Sequence, residues 1–227
     1  MSIHPIVRLA LPAGLFTLLV VAPRRPADTE PVDGPSPVLP TAKASPAPDV
    51  DLSELYHEIA APGAHVTVVE FSDFGCPYCG RFERQTFPAL RKEFVETGKV
   101  RWRFVPFVLG MFPNGGEAMK AASCVADQGD GPFWKMHDLL FQNQDAWKNA
   151  RDPDALLQSY AVAAGVEAGP WKECYRGSRA NDRMAAADAL AERSGVRSTP
   201  SFFIDGKLVQ GALPLEDFRR LLTDATR

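Results

Sequence analysis

Cys76-Pro77-Tyr78-Cys79 is the segment whose residue types and spacing could do chemistry most directly. Two thiols at positions i and i+3 lie one turn apart on the same side of a helix, close enough to form a disulfide. A cysteine at a helix N-terminus faces unpaired backbone N–H groups and the positive end of the helix dipole. Both stabilise a thiolate and lower its pKa. Pro77 suits the first helical turn because it has no N–H to leave unpaired. The pattern predicts thiol–disulfide exchange, with Cys76 attacking and Cys79 resolving the mixed disulfide. A zinc site would need a second pair of ligands, and Cys124 and Cys174 stand alone in sequence with no histidine near them. Covalent haem attachment would need histidine after Cys79, where Gly80 stands. A purely structural bridge across so short a loop would stabilise little.

The elements that must hold this pair can be read around it. His65 to Phe71 (HVTVVEF) and Lys99 to Val108 (KVRWRFVPFV) have β-strand composition. Pro77 to about Thr97 is rich in helix formers, with Pro88 expected to kink it. Residues 51–60 (DLSELYHEIA) predict a short leading helix. From 115 to about 194 the apolar spacing is helical, as in Ala118, Ala121, Ala122 and Val125, then Phe133, Met136 and Leu140. Asp152-Pro153 reads as the start of one of these helices. Ser201–Ile204 and Lys207–Gln210 flank Asp205-Gly206, a two-residue hairpin signal, and Leu213-Pro214 opens a last helix. The order strand, helix, strand, helical block, hairpin, helix is α/β. Val66, Val68 and Glu70 alternate onto one face of the first strand. A carboxylate buried there would have a raised pKa and could exchange a proton with Cys79. A glutamate at the strand end reaching water is the alternative. His137, beside Phe133, Met136 and Leu140, reads as a hydrogen-bonded core histidine, and Phe104 to Val108 as core strand.

Three ordered motifs carry a resemblance to a known family. Glu70-Phe71-Ser72-Asp73-Phe74-Gly75-Cys76-Pro77-Tyr78-Cys79 resembles the active-site strand of DsbA-like thiol–disulfide oxidoreductases, particularly the BdbD-like branch. Phe133 to Asp138 with Leu140-Phe141 resembles that branch's helical insertion, and Gly195 to Gly206 its return strand. The resemblance implies a thioredoxin-like fold over residues 50–227, with a helical insertion at about 109–196 between the second strand and the C-terminal hairpin. It implies that Thr199-Pro200 faces the cysteines with Pro200 cis and its backbone available to a substrate peptide. It implies that Glu70 is the acidic residue beneath the active site, and that Tyr78 tunes the pair or touches substrate. Related oxidoreductases sometimes carry a second, structural disulfide in the helical region. With 76–79 assigned, Cys124–Cys174 is the pairing left, and two free buried thiols are the alternative.

The rest of the chain sets the compartment and the partners. Leu9 to Ala22 is an uncharged apolar run after Arg8, the core of an export signal or, if retained, a thin membrane anchor over residues 1–22. Eight prolines between residues 23 and 49, with little apolar content, predict a mobile tether. The formal net charge of −3 gives no pull toward nucleic acid. The expectation is an extracytoplasmic, monomeric oxidase with no cofactor beyond the Cys76–Cys79 disulfide and no metal. It would act on reduced or unfolded exported proteins and be reoxidised by a quinone-linked membrane partner of the DsbB or VKOR-like kind. Tyr78 and Thr199, both shared with the isomerase DsbG, keep a reductase or isomerase open, as is a thioredoxin-fold chaperone module.

Overall fold

The computed structural model describes residues 55–227. The predicted signal or anchor and the proline-rich tether therefore lie outside the described residues. Five strands form one mixed sheet: β1 (His57–Ile59), β2 (Val66–Ser72), β3 (Val100–Pro106), β4 (Ser201–Ile204) and β5 (Lys207–Gln210), in the order β1-β3-β2-β4-β5. The central strands β2 and β3 are parallel and all other neighbours are antiparallel. The parallel pair requires a crossover. It is made by α1 (Pro77–Gln85), α2 (Phe87–Leu90) and a π-helical turn, Arg91–Val95. The strand β2 alternates as the sequence predicts, and β3 does the same. Val66, Val68 and Glu70 on β2 and Val100, Trp102 and Phe104 on β3 are buried, with half-buried residues between them. On that buried face Phe82 of α1 and Phe218 of the C-terminal helix pack with Trp102 and Phe202.

The helical block between β3 and β4 comprises α3 (Gly115–Ala126), α4 (Asp130–Gln142), α5 (Gln144–Lys148), α6 (Asp154–Ala164), α7 (Ala168–Arg176) and α8 (Arg179–Arg193). Cys124 of α3 and Cys174 of α7 are bonded, with their Cα atoms 5.6 Å apart. The bond closes a loop between residues 50 apart in sequence. By the chain-entropy account that is worth about 4 kcal/mol. We expect the double variant Cys124→Ala/Cys174→Ala to lower the urea midpoint by a stability loss of about 2–4 kcal/mol. An unchanged midpoint would show that the bond does not stabilise the fold. After β4 and β5, α9 (Leu215–Ala225) closes the chain. Asp205 and Gly206 both take positive φ, 47° and 78°, as a tight hairpin turn demands.

Two sequence expectations need correction. The leading helix does not form over its described part, because His57–Ile59 is an edge strand paired with Phe104–Trp102 of β3. Tertiary contacts override the local pattern: the His57 ring stacks on Phe133 at 3.4 Å, and Glu58 accepts from Arg103 at 2.9 Å. The helix after Cys79 does not kink at Pro88 but breaks two residues earlier, at Thr86. Pro88 cannot donate to the carbonyl of residue 84 and its ring would crowd that carbonyl, so the chain restarts with Pro88 in a new first turn.

Candidate active site

Cys76 caps α1 from an extended backbone conformation, with Pro77 opening the helix. Its sulfur is covered but shallow, and Tyr78 beside it is 57% exposed. The Thr199-Pro200 peptide is cis and brings the Thr199 carbonyl 3.5 Å from Cys76 Sγ, which donates to it as a thiol. The two cysteines are free thiols here. The Cys76 pKa is lowered from the ordinary thiol value of 9.0 to about 6. The largest cause is the Cys79 thiol, which hydrogen-bonds the Cys76 sulfur. The Thr199 side chain and the backbone N–H groups of Cys79 and Tyr78 add to it, against the cost of burial. The helix end therefore contributes, but less than the partner cysteine does. Burial pushes Cys79 in the opposite direction, well above 9.0, reinforced by the Cys76 charge beside it. The pair thus holds one thiolate and one thiol at neutral pH.

Beneath the pair, Glu70 is fully buried, and its Oε2 accepts from Trp102 Nε1 at 2.9 Å. Burial raises its pKa to about 7, opposed by hydrogen bonds from Glu83, Trp102 and Ser72. Its relation to Cys79 is indirect. The Ser72 hydroxyl lies close enough to lower the pKa of both groups, though at no ordinary hydrogen-bond geometry in this conformation.

The turn from β2 into α1 is clamped from the helical block. Gln144 Nε2 donates to the carbonyls of Phe74 at 2.6 Å and Cys76 at 2.8 Å. Gly80 leaves room for that amide, since a Cβ there would stand 2.6 Å from Gln144 Oε1. Asp73 accepts from Gly75 N–H at 2.8 Å and Leu109 N–H at 2.9 Å, tying the turn to the loop after β3. None of Ser72, Asp73, Glu83 or Gln144 was singled out as functional by sequence. Glu83 carried a faint signal, four residues after Cys79 on a helix whose Phe82 is core. Gln144 carried none, because its role depends on a contact across 68 to 70 residues. His137 is buried among Phe104, Trp134 and Phe141 and hydrogen-bonds Asp138 at 3.0 Å, as expected of a core histidine.

Comparison with known proteins places this arrangement. The family profile described as "Thioredoxin" matches residues 56–224. The chain is 37% identical over 155 residues to the Na(+)/H(+) antiporter NhaA 3 of Salinispora tropica, covering 67% of this chain but 22% of that protein. It is 25% identical over 162 residues to disulfide bond formation protein D of Bacillus subtilis, covering 70% of this chain and 72% of that one. The chain thus spans only about a fifth of the length of the antiporter it matches. The crystal structure of oxidised BdbD from Bacillus subtilis superposes with a TM-score of 0.70 at 22% identity, over 77% of this chain and 94% of that one. The fold is thus the one that BdbD has, and the chain belongs to the thioredoxin family.

Proposed function

We propose that this protein is an extracytoplasmic thiol–disulfide oxidoreductase that works as an oxidase on reduced, exported proteins. The observation that carries this reading is the asymmetry of the pair: Cys76 is stabilised as a thiolate while Cys79 is held as a buried thiol. In the oxidised protein a substrate thiolate attacks Cys76 Sγ and forms a mixed disulfide. The Cys79 sulfur leaves with the electron pair and takes up a proton. A second substrate thiolate then attacks the substrate sulfur of the mixed disulfide and expels Cys76 as a thiolate. The substrate loses two electrons and its disulfide forms, while the protein keeps the electrons as one thiolate and one thiol. A thiolate cannot donate to the Thr199 carbonyl, so that acceptor is free for a substrate backbone N–H in an extended segment. A leaving thiolate stabilised in this way makes the disulfide more oxidising. At pH 7 a thiol pKa of about 6 rather than 9.0 favours the reduced form about tenfold, or about 30 mV. The potential should lie above the thioredoxin value of about −270 mV and below the DsbA value of about −120 mV. Export rests on the apolar run at residues 9–22. A quinone-linked membrane partner would return the disulfide.

The test is oxidation of reduced, unfolded ribonuclease by the oxidised protein, beside reactivation of scrambled ribonuclease by the reduced protein. We expect stoichiometric oxidation and poor unscrambling. Efficient unscrambling with slow oxidation would replace the oxidase reading with the isomerase one.

A further inference from the structure

Cys76 is the N-cap of α1, with an extended backbone, and Pro77 follows it without an N–H. The first free donors of the helix are therefore the N–H groups of Tyr78 and Cys79, at the two positions an N-cap side chain faces. As a thiol, Cys76 donates to the Thr199 carbonyl. As a thiolate it can only accept, so its charge depends on those two N–H groups being aimed at the sulfur. The turn that aims them is closed by Gly80 N–H, which donates to the Cys76 carbonyl at 3.0 Å.

Gln144 reinforces that turn from outside the helix. Its amide nitrogen carries two hydrogens and both are used, on the carbonyls of Phe74 at 2.6 Å and Cys76 at 2.8 Å. Both acceptors are carbonyls, so a glutamate in its place could not meet them. Phe74 is buried, and among the described residues no backbone N–H reaches its carbonyl. Gln144 therefore satisfies an acceptor that the turn itself leaves unpaired. The donor is in turn held in place. Asn143 separates α4 from α5 and donates back to the Leu139 carbonyl at 2.8 Å. Asn114, just before α3, donates to the carbonyls of Trp147 and Ala150, each at 2.9 Å, at the far end of α5. Arg84 of α1 donates to the Phe141 carbonyl at 2.6 Å. A side chain whose support is bonded on both sides holds its target within narrow limits.

Gly80 is the second, independent sign. It lies inside α1, where glycine is unfavourable relative to alanine, and it is not among the residues with positive φ. What it supplies is room: a Cβ there would stand 2.6 Å from Gln144 Oε1 and 2.8 Å from Arg84 Nη1.

We propose that Gln144 is a positioning residue of the exchange reaction. By holding the Phe74 and Cys76 carbonyls it fixes the first turn of α1, so that the Tyr78 and Cys79 N–H groups meet the Cys76 thiolate, and Gly80 admits it to the helix. The proposal deepens the exchange reading above and rests on it. A merely structural clamp would hold the oxidised and reduced turns alike. Gln144 acts through the thiolate, so its loss should show only where the thiolate exists.

The test uses the full chain and begins with Gln144→Met, which keeps the bulk and removes the donor. Thiolate absorbance of the reduced protein across pH should place the Cys76 inflection about half to one pKa unit higher than in the wild type, the size of one hydrogen bond. The glutathione equilibrium at pH 7 should move about three- to fivefold toward the protein disulfide, and the difference should vanish by about pH 5, where little thiolate remains in either protein. Gly80→Ala, which displaces the amide from the helix side, should shift the inflection in the same direction. It should add nothing once Gln144→Ala has removed the amide. A Gln144→Met protein with the wild-type inflection, destabilised equally in both redox forms, would make Gln144 a structural residue and overturn the proposal. An unchanged inflection in Gly80→Ala overturns it too, even where Gln144→Met fails to fold, as does an equal shift with and without the glutamine. Wild-type protein that does not equilibrate with glutathione at all would sink the exchange reading itself, and the proposal with it.

Discussion

Cys76→Ser is expected to abolish thiol–disulfide exchange to the uncatalysed background, whereas Cys79→Ser should keep the first attack and accumulate a stable mixed disulfide with substrate. The two residues differ in protonation and access rather than in chemistry. Only the thiolate is a nucleophile, and only Cys76 is one near neutrality, with its pKa near 6. Cys79 alone would be a buried thiol whose pKa burial holds well above 9.0, so it cannot replace its partner. With serine at 79, a substrate disulfide attacked by Cys76 has no internal resolver. The Cys76 pKa should also rise in this variant, because the Cys79 thiol is its largest source of stabilisation. The check is mass spectrometry of each reduced variant after incubation with a disulfide peptide. Exchange at wild-type rate by Cys76→Ser, or a peptide adduct on Cys79 in the wild type, would contradict the assignment.

The second large effect is a stability gap between redox forms that grows with pH. The Cys76 pKa is depressed in the folded reduced state from 9.0 to about 6. A depressed value adds stability that is fully present above the unfolded pKa and lost as pH falls through the folded one. Between about pH 6 and pH 9, therefore, the reduced protein should gain stability relative to the oxidised protein, which has no thiol there to titrate. Three pKa units correspond to about 4 kcal/mol, and screening at so shallow a sulfur reduces this to about 2–4 kcal/mol. Glu70 acts with the opposite sign. Its pKa is raised from 4.5 to about 7, so its contribution is present below the ordinary value and lost as pH rises through 7. That loss occurs in both redox forms and largely cancels in their difference. Urea unfolding of both forms at a series of pH values measures the gap. A gap that stays flat from pH 6 to pH 9 would mean that the thiolate is not stabilised by the fold.

What could be read from the sequence was local. The cysteine pair, the proline after Cys76, the alternation along β2 and the Asp205-Gly206 turn each carry their signal within a few residues, and the structure places each of those elements where the sequence does. The parts that escaped are held by partners distant in the chain. A three-residue edge strand such as β1 has too little sequence to reveal its pairing with β3, and the residues around it have helix-forming character. Glu70 was legible as a buried strand glutamate, but Glu83, buried with it, lies on another element, and only its place one turn after Cys79 hints at its position. His137 was legible as a core histidine. That its free nitrogen faces a carboxylate at 3.7 Å depends on how α4 packs on α1, which no periodicity encodes. The depressed pKa of Cys76 was predictable in direction from the helix terminus. Its largest cause, the Cys79 thiol, needs the rotamers of both cysteines.

The account depends on Cys76 being a thiolate at neutral pH beside a protonated Cys79. Alkylation of the reduced wild-type protein with iodoacetamide, followed across pH and located by peptide mapping, measures this directly. One thiol, Cys76, should react first, with a rate that rises to a plateau through a pKa of about 6, while Cys79 stays unmodified under the same conditions. A Cys76 rate still rising near pH 8.5, as for a free cysteine at about that pKa, or labelling that falls first on Cys79, would contradict the account.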